Sequence, residues 1–168
     1  MSKRAQSLSG SRRLGRLALL TAVGLLLSWL ESWLVPAIAI PGVKPGLANL
    51  ATVLALFWFG WRDALAVSLA RVLLAGLLFG SLSSLLYALS GALLALAGMA
   101  LARRSDRLGP VGISALGGVL HNAAQLSLAA IVAKTPGLLG YFPILFLAGT
   151  LTGVLNGVLS LAVLKRVK

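Results

Sequence analysis

Residues 41–50 read PGVKPGLANL. Two prolines, two glycines, Lys44 and Asn49 fall within ten positions, between long apolar runs. Proline ends a helix because its ring blocks the preceding turn and removes an N–H donor. The stretch is therefore a break between two apolar helices, and the nature of those helices decides the fold. Upstream, residues 17–35 are apolar apart from Thr21, Ser28, Glu31 and Ser32. A helix crossing a bilayer needs about 20 apolar residues at about 1.5 Å each, and this run is long enough.

Five further segments follow, giving six expected spans: Leu14 to Val35, Gly46 to Trp61, Arg62 to Phe79, Leu82 to Ala102, Val111 to Ala133 and Tyr141 to Leu164. Gly80-Ser81 and Pro136-Gly137 punctuate them. The second is short unless part of the opening stretch also enters the membrane. Short connections favour antiparallel packing of neighbours. The expected fold is an all-α integral membrane bundle of six transmembrane helices spanning residues 14–168, behind a disordered basic tail at residues 1–13.

Composition agrees. Of 168 residues, 59% are hydrophobic and 11% charged, where a soluble domain carries about 25% charged residues. The net charge of +12 would point to nucleic acid in a soluble protein. Here the basic residues cluster between apolar runs, which a membrane explains. There is no cysteine, which removes disulfides, thiolate metal sites and cysteine nucleophiles. The start, with Arg12-Arg13 and a later Ala37-Ile38-Ala39, imitates a secretory signal. The following apolar run is long enough to span, so a retained first helix is expected.

Charge bias orients the bundle. With the amino terminus in the cytoplasm, both termini lie inside, and Lys3, Arg4, Arg12, Arg13, Arg16, Arg62, Arg103, Arg104, Arg107, Lys165, Arg166 and Lys168 all fall on the inner side. Lys44 and Lys134 fall outside. Trp29 and Trp33 then mark the outer interface, Trp58 and Trp61 the inner one. The 41–50 stretch faces outward. It is either an ordinary turn or a re-entrant lid, since irregular backbone at membrane depth is tolerated where it lines a water-filled site.

One basic residue is left. Arg71 lies nine residues past Arg62, about 14 Å along a helix and near the midplane. Arginine there costs about 2.5–3.5 kcal/mol on insertion scales, so it should face the bundle interior. It either forms an ion pair with Glu31 or meets an anionic ligand. The fifth span carries His121, Asn122 and Gln125 on one face, at spacings of three and four, with Ser114 and Gly118 below. Three strongly polar side chains in hydrocarbon each need partners. They serve as satisfied core groups or as ligand contacts. One histidine, no cysteine and one nearby carboxylate do not make a metal set, so neither metal nor cofactor is expected.

Nearly all the polar residues lie in the outer half, with Asn156 the clearest exception. A channel would be polar throughout; this profile describes a pocket open outward and closed below. The expected ligand set is Lys44, Asn49, Arg71, His121, Asn122, Gln125 and Glu31, with residues 36–45 as lid. Small residues recur every four positions, as at Gly149, Gly153 and Gly157, letting helices approach closely.

The strings PGVKPGLANLATVLALFWFGWRDAL, LARVLLAGLLFG and GVLHNAAQL together resemble the membrane family labelled heptaprenyl diphosphate synthase component I, also called Gx transporter, over roughly residues 15–165. That family is similar to the S components of energy-coupling factor (ECF) transporters. The resemblance implies a six-helix substrate-binding subunit in a prokaryotic inner membrane, capturing a vitamin-like or isoprenoid/quinone-related molecule from outside. It implies as partners a transmembrane coupling subunit, contacted through Ala18 and Ala22, and cytoplasmic ATPases, with no nucleic acid. The chain itself lacks a nucleotide-binding GxxxxGK[ST] motif. The synthase label implies magnesium-diphosphate chemistry, but the three acids Glu31, Asp63 and Asp106 are too scattered to build such a site, and no enzyme activity is expected. The alternative is a non-catalytic accessory subunit of prenyl diphosphate or quinone synthesis; a ligand-free membrane scaffold is a third reading.

Overall fold

The computed structural model describes residues 10–34, 46–105 and 107–166. Among them there are six α-helices, one 3-10 helix and no strand. The helices are α1 (Gly10–Leu34), α2 (Asn49–Trp58), α3 (Trp61–Phe79), α4 (Leu82–Arg104), α5 (Pro110–Val132) and α6 (Phe142–Arg166); the 3-10 helix, Pro136–Tyr141, precedes α6. Helices α1, α4, α5 and α6 are long and apolar enough to cross a membrane.

The breaks have local causes. Gly60 takes φ 101°, a left-handed conformation that separates α2 from α3. Ser81 caps α4 by accepting from the Ser84 N–H, while the Ser84 hydroxyl accepts from the Ser81 N–H. Pro110 opens α5 at the first helical position, where its missing N–H costs nothing.

Two expectations need correction. The second span, expected over Gly46 to Trp61, is a helix of only ten residues, about 15 Å long and half a hydrocarbon thickness. Gly46, at φ 66°, is not helical. Residues 10–13, expected within a disordered basic tail, are helical instead. Helix α1 begins at Gly10, and Arg13 donates two hydrogen bonds to the buried carboxylate of Asp63, at 2.6 and 3.2 Å. That ion pair ties the start of α1 to the start of α3. Residues 1–9 and 36–45, including Lys44, lie outside the described residues.

The apolar core gathers at this basic end. Leu20, Val53, Leu56, Val67, Met99 and Ile113 bring α1 to α5 together, and Val163 and Leu164 of α6 pack against them. Arg103 closes the layer, donating to the Phe57 carbonyl at 3.1 Å and lying over the Phe57 ring.

The glycine repeat is an internal seam between α5 and α6. A Cβ at Gly149 would lie 2.7 Å from the Gly118 carbonyl oxygen, one at Gly153 2.6 Å from that of Ser114, and one at Gly157 2.5 Å from the Val111 Cα. Backbone meets backbone, so only glycine fits. Ala18 and Ala22 on α1 are exposed instead.

Candidate functional site

Four side chains at similar distances from the basic end define one layer. Counting from the basic end at about 1.5 Å per residue, Arg71 lies about 15 Å along α3, Asn49 about 14 Å along α2, His121 about 16 Å along α5 and Asn156 about 15 Å along α6. Below this layer is the apolar core. Above it a cavity of about 510 Å³ opens.

Arg71 is buried on the cavity floor, with 7% of its surface exposed. Its guanidinium donates to the Ser28 hydroxyl at 3.2 Å and to Asn49 Oδ1 at 3.3 Å. Its Nε has no hydrogen-bond partner. Gly24 makes room for the arginine stem: a Cβ there would lie 2.8 Å from the Arg71 Cδ. Glu31, equally buried, lines the same cavity and acts on the guanidinium through space. The direct partners of Arg71 are thus Ser28 and Asn49. The carboxylate of Glu31 instead accepts from the Ala48 N–H at 3.4 Å.

The segment entering α2 is held from three sides. Besides Glu31 on Ala48, Asn156 donates from Nδ2 to the Gly46 carbonyl at 2.6 Å, and Arg71 holds Asn49. Non-helical backbone therefore reaches the middle layer of the bundle, where side chains satisfy its polar groups and it borders a cavity, the setting that irregular backbone requires at such depth.

The facing wall comes from α5. His121, Asn122 and Gln125 all line the cavity. The His121 ring lies against Gly91 of α4, where a Cβ would come within 2.8 Å of it. Asn122 donates from Nδ2 to the Leu145 carbonyl at 2.8 Å, which leaves its Oδ1 to accept from elsewhere. The third wall, from α3 and α4, is largely apolar, with Val72, Ala75, Phe79, Leu85 and Ala88.

Of the seven residues expected at the site, Glu31, Asn49, Arg71, His121, Asn122 and Gln125 line this one cavity; Lys44 lies outside the described residues. Ser28, Ser32, Ser81, Ser84 and Thr152 also line it without having been foreseen. Serine and threonine are common in membrane helices, where they bond their own backbone, as Ser28 does with the Gly24 carbonyl. The position of Ser28, three residues before Glu31 and so on the same face of α1, is the signal that points to it. Gly24 and Gly91 carried a clearer signal, being glycines inside apolar helices. No group of three or more metal-ligating side chains occurs among the described residues.

No curated protein and no solved structure matches the chain significantly. A family model described as heptaprenyl diphosphate synthase component I matches residues 20–163, a range that includes every cavity residue named above. The chain belongs to the heptaprenyl diphosphate synthase component I family.

Proposed function

We propose that this protein is the membrane-embedded substrate-binding subunit of an ECF-type uptake transporter, capturing a small vitamin-like or isoprenoid/quinone-related molecule from the extracytoplasmic side. One observation carries the reading: a cavity of about 510 Å³ with a buried arginine on its floor, polar groups on two walls and an apolar third wall. The volume is within the usual range for small-molecule sites, about 300–1,000 Å³. The apolar core at the basic end argues for a pocket rather than a conduit. In this reading all six helices sit in an inner membrane with both termini cytoplasmic, because the basic residues then lie inside. Helix α2 is shielded within the bundle and Arg71 of α3 is buried, which accommodates a half-length helix and a charge at this depth. The exposed Ala18 and Ala22 face of α1 meets the transmembrane coupling subunit, which cytoplasmic ATPases drive.

No catalytic role is assigned. Asp63 is engaged by Arg13, Glu31 holds the entry to α2, and the two carboxylates are on different helices. The test is to purify the full chain in detergent and identify retained small molecules by native mass spectrometry. A retained molecule is expected in the wild type, and at least tenfold less in Arg71→Ala, since a charge-assisted hydrogen bond contributes about 1.5–3 kcal/mol. Equal retention in that variant would refute the site as drawn.

The family description favours a second reading, a non-catalytic accessory subunit of prenyl diphosphate or quinone synthesis. Co-expression separates the two. Uptake that depends on an ECF coupling module supports the first reading; activity that depends on a soluble prenyl synthase supports the second.

A further inference from the structure

We propose that one water molecule is bound beneath the floor of the large cavity, where α2, α5 and α6 meet, and that it joins Asn49, Thr152 and Asn156 into one polar link. The inference stands independently of what the large cavity binds. A second cavity, of about 10 Å³, lies at this junction. Asn49, Ser114, Thr152 and Asn156 form its polar lining, with Val53 and Met99 on its apolar side. Asn49, Gly118 and Thr152 line both cavities, so the small one adjoins the floor of the large one.

The basis is a buried acceptor. Asn156 is only 2% exposed. Its Nδ2 donates to the Gly46 carbonyl at 2.6 Å, while its Oδ1 has no hydrogen-bond partner in the protein. Turning the amide over would set Oδ1 against the Gly46 carbonyl, acceptor against acceptor, so exchanging its ends does not help. A buried polar atom without a partner is costly. Thr52 Oγ1 and Ser160 Oγ are also buried and unpartnered. For them a rotation about χ1 reaches the carbonyl three or four residues back in the same helix. The amide oxygen of Asn156 is already committed by its own Nδ2 bond and has no such recourse.

The neighbours supply what a water needs. A methyl added at Gly46 would lie 3.7 Å from Asn156 Nδ2, 3.8 Å from Thr152 Oγ1 and 3.9 Å from Asn49 Nδ2, so three polar side chains converge here. Asn49 Oδ1 accepts from Arg71, which leaves its Nδ2 to donate. Thr152 gives its hydroxyl proton to the Gly149 carbonyl at 3.3 Å, which leaves its oxygen to accept. The water accepts from Asn49 Nδ2 and donates to Asn156 Oδ1 and Thr152 Oγ1, with the Ser114 hydroxyl bordering the same space. A metal cation could not accept from Asn49. A buried water requires about 10–15 Å³ and two to four polar partners, and both are present. The link has a consequence above it: it holds the Asn49 amide with its oxygen toward Arg71.

Radiolytic footprinting of the full chain in detergent tests the assignment. An X-ray pulse converts bound water to hydroxyl radical in place, and the radical oxidises an adjacent methionine to its sulfoxide. Met99 lines the small cavity and is 3% exposed, so radicals from bulk solvent do not reach it. Met1 is the other methionine, so the modified peptide is unambiguous. Met99 should be oxidised in the wild type and equally in Gly15→Ala, a site with nothing within 4 Å. In Thr152→Val a methyl replaces the accepting oxygen and the Asn156–Gly46 bond is kept; oxidation should fall about fivefold, as loss of one hydrogen bond implies. Asn156→Leu, which removes the orphan oxygen, should lower it at least as far, and Thr152→Val decides alone if that variant does not fold. A Met99 that stays inert in the wild type, or is oxidised as fast in Thr152→Val, would overturn the bound water.

Discussion

Substituting Gly149 and Gly153 by alanine tests the seam that holds one wall of the cavity in place. A Cβ at 149 would lie 2.7 Å from the Gly118 carbonyl oxygen and 2.9 Å from Asn122 Nδ2; one at 153 would lie 2.6 Å from the Ser114 oxygen and 2.7 Å from the Ala115 Cα. Three of these four neighbours are backbone and cannot rotate away, so α5 and α6 must separate. Overpacking of this kind costs about 1–3 kcal/mol per site. Alanine's better helix propensity returns about 1 kcal/mol. Each single variant should therefore lose about 0–2 kcal/mol and the double variant up to about 4 kcal/mol, less than the sum of the two where one shift of the seam serves both sites. The control is Gly15→Ala on α1, where nothing lies within 4 Å of the new methyl; it should be neutral or slightly stabilising. Thermal unfolding of the detergent-solubilised chain, followed by helical circular dichroism, reads the difference. Because α5 carries His121, Asn122 and Gln125, ligand retention should fall in parallel. A double variant as stable as Gly15→Ala would refute the close backbone contact and the wall built on it.

Two further perturbations separate site from scaffold. In Gly91→Ala the new methyl would press on the His121 ring from 2.8 Å, so the imidazole must swing toward the cavity; ligand affinity should fall several-fold while the melting temperature shifts little, and unchanged affinity would show that His121 makes no contact with the ligand. In Arg13→Ala the buried Asp63 loses both its hydrogen bonds; with Arg13 about half exposed, a loss of about 1 kcal/mol is expected without effect on binding, and loss of binding would couple the basic end to the cavity.

Much of this architecture is legible in local sequence. Gly80-Ser81, Pro110 and Pro136-Gly137 break the apolar runs where the helices break, because proline and glycine act on the backbone at their own position. Spacing alone brings His121, Asn122 and Gln125 to one face, and the cost of a charge in hydrocarbon turns Arg71 inward. The sequence puts Asn49 in the outer first turn of the second span, above Arg71; the two come level only because α2 is cut to ten residues and starts at Asn49. What is not legible is pairwise and distant. The bond from Asn156 to Gly46 links positions 110 apart, and no local pattern marks Gly46 as its acceptor. The halved α2 follows from that clamp, since residues 46–48 enter the bundle as non-helical backbone. The bond from Arg13, in the first turn of α1, to Asp63 likewise links positions 50 apart. The serines of the cavity were obscured by their ordinary role in membrane helices.

The central claim is that Arg71 lies at the floor of a cavity that water and ligand reach from the extracytoplasmic side. The chain has no cysteine, so a single introduced thiol reports on access without background. Ala75, one turn above Arg71 on α3, lines the cavity, whereas Leu77 is 76% exposed on the bundle's outer surface. In intact cells, a membrane-impermeant thiol reagent should modify Ala75→Cys but not Leu77→Cys, which faces lipid. An Ala75→Cys thiol that stays inert in intact cells, or reacts only once the cytoplasmic face is exposed, would contradict the account.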